Sequence, residues 1–370
     1  MERYLTEQVR RDLKEKMVFI TGPRQVGKTT LARHILARRE GYLNWDIPAD
    51  RARIAGHDFP KTPLIVLDEI HKFRLWRNTL KGLFDERKGR QKILVTGSAK
   101  LGYYRYGGDS LQGRYHLLRM YPLSVAELDI RRQKDLGDLF RLGGFPEPFF
   151  KGTATSADRW SQQYRHRLIT EDIAGLEAIH DVTSMELLLS RLPDLVGSPL
   201  SINALREDLQ VNHGTLARWL EIYERTYAIF RIAPFGAPRI RAVKKEQKHY
   251  HFDWNLIKKE GPRIENFLAV HLLKWMHFEM DTKGRELELR YFRDIDGREV
   301  DFVVTEHFKP ILFVESKWND QEVDRGLRYL KSKFPDVESW QISAGGRKDY
   351  VSKEGIRISP ALDFLKTLGC

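Results

Sequence analysis

The stretch MVFITGPRQVGKTTLARHILARR, residues 17–39, limits the possible folds more than any other. Met17 to Ile20 make a short apolar run that reads as a buried strand. Leu31 and Ile35 then fall on one face of a helix. Between them lies Gly22-Pro23-Arg24-Gln25-Val26-Gly27-Lys28-Thr29, the spacing GxxxxGK[ST] in the strand–loop–helix context of a P-loop. Glycines at 22 and 27 let the backbone turn its N–H groups inward as an anion nest, and the following helix adds its positive N-terminal end. On this reading residues Gly22 to Thr30 hold the phosphates of ATP. Lys28 reaches the β- and γ-phosphates, and Thr29 is a ligand of Mg2+.

Such a loop needs an acidic partner at the end of a second strand. TPLIVLDEIHKF supplies it: Leu64 to Leu67 are apolar, and Asp68 and Glu69 follow. Asp68 is the candidate metal ligand and Glu69 the group that polarises the attacking water. QKILVTGSAK is a further apolar strand; the likeness to P-loop ATPases implies a place for it between the P-loop strand and the Asp-Glu strand. It ends in Thr96 and Ser98; Ser98 is the candidate to face the water and γ-phosphate and Thr96 the second, and both also suit a turn. A fifth strand is expected around Tyr115–Met120. Arg114, just before it, is a candidate arginine finger in cis or from a neighbouring subunit, or a surface arginine. Arg24 is a further cation within the loop. Five strands with intervening helices predict an α/β P-loop domain with three layers.

LGDLFRLGGFPEPFF, residues 136–150, reads as a turn leaving this domain, and residues 158–190 as a helical connector or lid. In SPLSINALREDLQVNHGTLARWLEIYERTYAIFRIAPF, residues 198–235, Ser201 caps a helix bearing Ile202, Leu205 and Leu209. VNHG breaks it, and a second helix from about Thr215 buries Leu216, Leu220 and Tyr223. A strand follows over Tyr227–Ile232. Helix, tight turn, helix and strand predict a winged helix. Arg231, Arg239, Arg241, Lys244, Lys245 and Lys248 then form a basic stretch suited to phosphate contacts. Glu221 and Glu224 on the second helix would repel phosphates, so packing against the nucleotide domain is an equal alternative.

ILFVESKW, residues 311–318, begins as a buried strand and then places Glu315 and Lys317 on one face. Buried charges need partners or a metal. GREVDFVV puts Asp301 in the preceding strand, and GPRIENFLAVHLLKW puts Glu265 in the first turns of a helix. Asp301 and Glu315 could share Mg2+ or Mn2+, with Lys317 orienting a water for attack on a phosphodiester. An ion network at a sheet edge is the competing reading.

Residues 1–150 carry 29 Lys and Arg against 18 Asp and Glu, while residues 251–370 carry 20 against 21. The basic excess is N-terminal and suits an anionic partner such as DNA. The sequence holds no run of 18 apolar residues, so no membrane span is expected. The N-terminal segment is charged, and the one cysteine is Cys370, which together suggest the cytoplasm.

GPRQVGKTTL, IVLDEIHK, VTGSAK, LQGR…YPLSVAEL and GGFPEP together resemble the prokaryotic AAA-superfamily ATPases of the AAA_14 type. Their C-terminal half carries domain of unknown function 4143, with a winged helix and a PD-(D/E)xK nuclease-like fold. The resemblance implies ATP and Mg2+ at Gly22–Thr29, Asp68 and Glu69. Trp254 departs from the pattern, since relatives tend to have a small residue after the aspartate of HYHFDWNL. The expected organisation is an AAA-type P-loop ATPase domain over 1–150, a connector over 151–190, a winged helix over 191–252 and a nuclease-like α/β domain over 253–370. The expected function is an ATPase, forming a homo-oligomer, that processes DNA. The alternatives are a signalling switch whose nuclease-like part only binds partners, and a DNA-binding regulator gated by ATP.

Overall fold

A computed structural model describes residues 2–97, 101, 111–173, 181–236 and 246–370. The chain divides into two compact units: Met1–Pro122 with Asp281–Lys283, and Leu123–Met280 with Gly284–Cys370.

Unit 1 is built on five strands: β1 (Met17–Thr21), β2 (Tyr42–Asn44), β3 (Leu64–Asp68), β4 (Lys92–Thr96) and β5 (Tyr115–Arg119). They pair in the order β2-β3-β4-β1-β5, all parallel. The expected position of β4, between the P-loop strand and the Asp-Glu strand, is the observed one. A parallel sheet is covered on both faces, which is why its strands read as continuous apolar runs rather than alternating ones. Met17, Phe19, Ile65, Leu67, Ile93 and Val95 pack with Ile54 and with Trp76, Leu80 and Leu83, which come from the helices Pro48–Ala55 and Trp76–Arg87. Val18, Ile20, Val66 and Leu94 are equally buried. They point to the opposite face by strand alternation, and the helix Lys28–Ile35 packs on β3 and β4. Parallel pairing brings the ends of β1, β4 and β3 level, with Ile20 opposite Thr96 and Thr96 opposite Asp68.

Unit 2 holds a mixed sheet in the order β12-β13-β11-β10-β9-β8-β6-β7. Its strands are β6 (Ile229–Pro234), β7 (Lys248–His251), β8 (Leu287–Arg293), β9 (Glu299–Glu306), β10 (Lys309–Lys317), β11 (Glu338–Ser343), β12 (Tyr350–Val351) and β13 (Arg357–Pro360). β8, β9 and β10 form an antiparallel meander, and β11 and β13 add in parallel. β6 pairs antiparallel with β7, while its last residues, Ala233 and Pro234, pair parallel with β8. Two capped helices precede this hairpin. Ser201 Oγ accepts from the Ala204 N–H ahead of Ile202–Leu209, and Asn212 Oδ1 accepts from the Thr215 N–H ahead of His213–Arg225. These oxygens satisfy N–H groups that the first helical turn leaves without partners.

Residues 136–150 are not a plain turn. The helix Gln133–Leu142 buries Leu136, Leu139 and Leu142, and a short helix Pro146–Lys151 follows. The leucines recur at helical spacing, Gly143 ends the first helix at φ 84°, and Pro146 opens the second where no N–H is needed. The departure at Trp254 has a use. Its indole Nε1 donates to the carbonyls of Leu139 (3.2 Å) and Phe140 (3.1 Å) in the last turn of Gln133–Leu142, and its ring meets Phe267 edge-on at 5.1 Å. Among the described residues, no helix is long and apolar enough to cross a membrane.

Candidate functional site

In unit 1 the loop after β1 needs backbone that only glycine adopts freely. Gly22 has φ 140°, and a Cβ there would collide with the Met120 carbonyl. Gly27 has φ 102° and starts the helix Lys28–Ile35. The Lys28 ammonium arcs over the loop and donates to the carbonyls of Gly22 (2.9 Å) and Pro23 (2.6 Å). Arg3, which carries no motif and was not anticipated, braces the loop from outside. It donates to the Val26 carbonyl and, at 2.8 Å, to that of Tyr121.

Asp68 is the hub beneath the loop. Its Oδ2 accepts from Thr29 Oγ1 (2.8 Å) and from the Tyr42 hydroxyl (2.6 Å), and its Oδ1 accepts from Thr96 Oγ1 (2.6 Å). The Thr96 hydroxyl is therefore turned to Asp68. Arg33 lies over the Tyr42 ring at 4.5 Å, a second unanticipated support. Glu69 sits in the left-handed region at φ 57°, with its N–H held by the Thr96 carbonyl. Burial pushes its carboxyl above the usual carboxylate range, against the pull of the Lys72 ammonium 3.2 Å away. The donors fit a triphosphate and its metal: an N-terminal helix end, an ammonium, and a threonine hydroxyl beside a carboxylate. Ser98 lies outside the described residues. Arg114 does not reach the cradle. It precedes β5 at the end where Met17 begins β1, about 13 Å of strand from the loop, and pairs with Asp85 at 2.9 Å.

In unit 2 the acids do come together. Glu265 is in the second turn of the helix Glu260–Lys283 and Asp301 is on β9; both are buried. Lys317 Nζ donates to Glu315 Oε1 (2.7 Å) and to Asp324 Oδ2 (3.0 Å). Glu315 Oε2 accepts the Asp301 N–H (3.1 Å), and Asp301 Oδ2 accepts both the N–H (2.9 Å) and the hydroxyl (2.5 Å) of Ser316. The cation at the centre is Lys248. It was expected in an exposed basic stretch, but it is 0% exposed on β7 and pairs with Glu265 (2.9 Å), Glu299 (2.6 Å) and Asp301 (3.7 Å). The Tyr250 hydroxyl donates to the same Glu265 oxygen at 2.7 Å. Burial and the Asp301 charge push Glu265 up to about 7 and Glu315 well above its ordinary value. Burial pulls the Lys248 ammonium down, but the three carboxylates hold it above the usual lysine range. Arg239, Arg241, Lys244 and Lys245 lie outside the described residues. The period-two pairs Lys248/Tyr250 and Glu299/Asp301 were the available sequence signal, but nothing local joins them.

Comparison with known proteins divides the chain into three matched segments. Residues 14–129 match the AAA domain family AAA_14, residues 133–259 a domain of unknown function (DUF8612), and residues 260–363 another (DUF4143). Uncharacterized proteins of Mycobacterium bovis and Mycobacterium tuberculosis are each 24% identical over 324 residues, 84% of this chain and 73% of theirs. Similar solved structures include the Aeropyrum pernix ORC1 protein in complex with DNA (14% identity, 73% of this chain and 93% of that one, TM-score 0.37). A RuvB variant of Thermotoga maritima is another (18% identity, 61% and 88%, TM-score 0.30). The chain carries an AAA_14-type AAA domain toward its N-terminus and a DUF4143 domain toward its C-terminus.

Proposed function

Taking that AAA domain as the premise, we propose that the chain binds and hydrolyses ATP with Mg2+, and uses the cycle as a switch that acts on DNA. One observation carries the reading: Thr29, Asp68 and Thr96 join in one hydrogen-bonded chain directly beneath the P-loop. Residues Gly22 to Thr30 would cradle the phosphates through backbone N–H groups. Lys28 would exchange its two loop carbonyls for phosphate oxygens. Thr29 and Asp68 would hold Mg2+, which when bound screens the charge of the β- and γ-phosphates. Glu69, with its raised proton affinity, would accept a proton from the attacking water.

DNA is the partner class that the N-terminal basic excess favours. The helices Ile202–Leu209 and His213–Arg225 with the β6–β7 hairpin support a winged helix as the reader. The β8–β11 strands beside the helix Glu260–Lys283 support a nuclease-like fold. A homo-oligomer belongs to the same reading: Arg114, paired with Asp85 in its own chain, would as a finger have to serve the cradle of a neighbouring copy, and is otherwise a surface arginine. The cytoplasm is the proposed location.

The test is ATP turnover by the full chain with Mg2+, alone and with single- or double-stranded DNA. Turnover stimulated by DNA supports the whole reading. Turnover indifferent to DNA favours a signalling switch that binds protein. Absence of ATP binding in calorimetry would sink it.

A further inference from the structure

The carboxylates of unit 2 already hold a cation. The Lys248 ammonium bridges Glu265 on its helix to Glu299 and Asp301 on β9, at 2.9, 2.6 and 3.7 Å. It is wholly buried, and its flank is closed by the Tyr291 ring 5.5 Å away. Any ion shared by Glu265 and Asp301 would have to lie where this group lies.

The remaining oxygens do not suit a metal either. A hard divalent cation needs several oxygens aimed at one point, each about 2.0–2.6 Å away. Asp301 Oδ2 is instead turned to the N–H and hydroxyl of Ser316, and both Glu315 oxygens accept from protein donors, Lys317 and the Asp301 N–H. Among the described residues, no three His, Cys, Asp or Glu side chains are placed at metal-ligand distances from one point; Glu265, Glu299 and Asp301 surround the Lys248 ammonium at the longer distances of ion pairs. Lys317 is also committed, held between Glu315 and Asp324.

We propose that Lys248 is the resident cation of this cluster: its ammonium takes a divalent metal's place, so unit 2 performs no metal-dependent cleavage of phosphodiesters. The cluster instead fixes β7 to the helix Glu260–Lys283 and to β9. This makes the β6–β7 hairpin part of the same rigid body as the C-terminal sheet. The inference is independent of ATP hydrolysis in unit 1.

The test is Mn2+ uptake by the full chain, followed by the loss of the free-ion signal in electron paramagnetic resonance. An Asp68→Asn background removes the candidate metal ligand of unit 1. The expected result is no stoichiometric uptake that depends on Asp301. Uptake of one Mn2+ per chain that disappears on adding Asp301→Asn would overturn the proposal; uptake insensitive to that change lies elsewhere and leaves the cluster metal-free, as expected. Lys248→Met in the same background should gain one Mn2+ per chain and lose it again with Asp301→Asn. A folded Lys248→Met chain that gains none would overturn the claim that the ammonium stands in a metal's place. If Lys248→Met does not fold, as circular dichroism would show, the Asp301 comparison in the lysine-bearing chain still decides.

Discussion

Thr96 donates its hydroxyl to Asp68 Oδ1 across 2.6 Å, from the neighbouring strand and in register with it. Thr29 holds the other oxygen, so one carboxylate ties the P-loop helix to the ends of β3 and β4. Thr96 is fully buried. Thr96→Val keeps its shape and removes the donor, leaving a buried carboxylate oxygen short of a partner. Unfolding free energy should fall by about 1–3 kcal/mol, and affinity for Mg-ATP should weaken because Asp68 is free to turn. Chemical denaturation and nucleotide calorimetry on the same variant check both. Unchanged values in the two would mean that Asp68 does not depend on Thr96.

Lys28 and Glu69 separate binding from chemistry. Lys28→Ala removes the ammonium placed over the loop, and ATP turnover should fall about a hundredfold or more. Glu69→Gln keeps the shape and removes the proton acceptor. It should bind ATP as the parent does, with turnover about 10²–10⁴-fold lower. Single-turnover assays paired with binding measurements distinguish the two. A Glu69→Gln chain with parental turnover would remove Glu69 from the mechanism.

Gly22→Ala tests the backbone of the loop. At φ 140° an L-residue is strained, and its Cβ would strike the backbone carbonyl of Met120, which cannot swing aside as a side chain could. The variant should lose ATP binding, and unit 1 should melt at lower temperature. Gly82→Ala, inside the helix Trp76–Arg87 with open space around it, should be neutral or slightly stabilising. Equal melting temperatures for the two variants would contradict this account.

What was legible in the sequence follows from how local each signal is. Gly22–Thr29 and Asp68-Glu69 are contiguous, and each needs only its own strand and turn; the order of β3, β4 and β1 is not local and follows in advance only from the likeness to P-loop ATPases. Glu265, Asp301, Glu315 and Lys317 were legible as charges in apolar elements. Lys248 was not, because its partners lie 17 to 53 residues away and its neighbours in sequence are basic and suggest a solvated surface. Arg3 was hidden for the same reason: a cation whose acceptors are the main-chain carbonyls of Val26 and Tyr121 leaves no pattern of side chains. Gly143, Gly144 and the prolines of 136–150 signal chain breaks and mask the leucine spacing beside them.

Among the described residues Trp254 is the largest wholly buried side chain, and its N–H serves two carbonyls of the last helical turn, that of Phe140 and, shared with the Gly143 N–H, that of Leu139. Trp254→Ala should destabilise unit 2 by about 3–5 kcal/mol through the cavity and the lost contact with Phe267. Trp254→Phe keeps much of the volume but not the donor, and should cost about 1–3 kcal/mol. Urea denaturation followed by far-ultraviolet circular dichroism gives both values. A Phe variant as unstable as the Ala variant would show that the donor, rather than the packing, governs the site.

The raised proton affinity of Glu265 sets a pH dependence whose sign can be worked out. Burial is the main cause, the Asp301 charge adds to it, and Lys248 opposes it without cancelling it. The unfolded chain releases this proton near 4.5, whereas the folded chain holds it up to about 7. Between those values the folded state binds more protons, so stability falls as pH rises. The stabilising contribution is fully present below about 4.5 and is lost as pH passes 7. Glu315 acts in the same direction. Glu265→Gln cannot ionise yet still offers an oxygen to Tyr250 and Lys248. Its unfolding free energy should therefore change less between pH 5 and pH 8 than the parent's, with the curves closest at pH 5. Denaturant titrations at four pH values across this range make the comparison. Parallel curves would show that Glu265 ionises alike in the folded and unfolded chains, and that Lys248 compensates its burial in full.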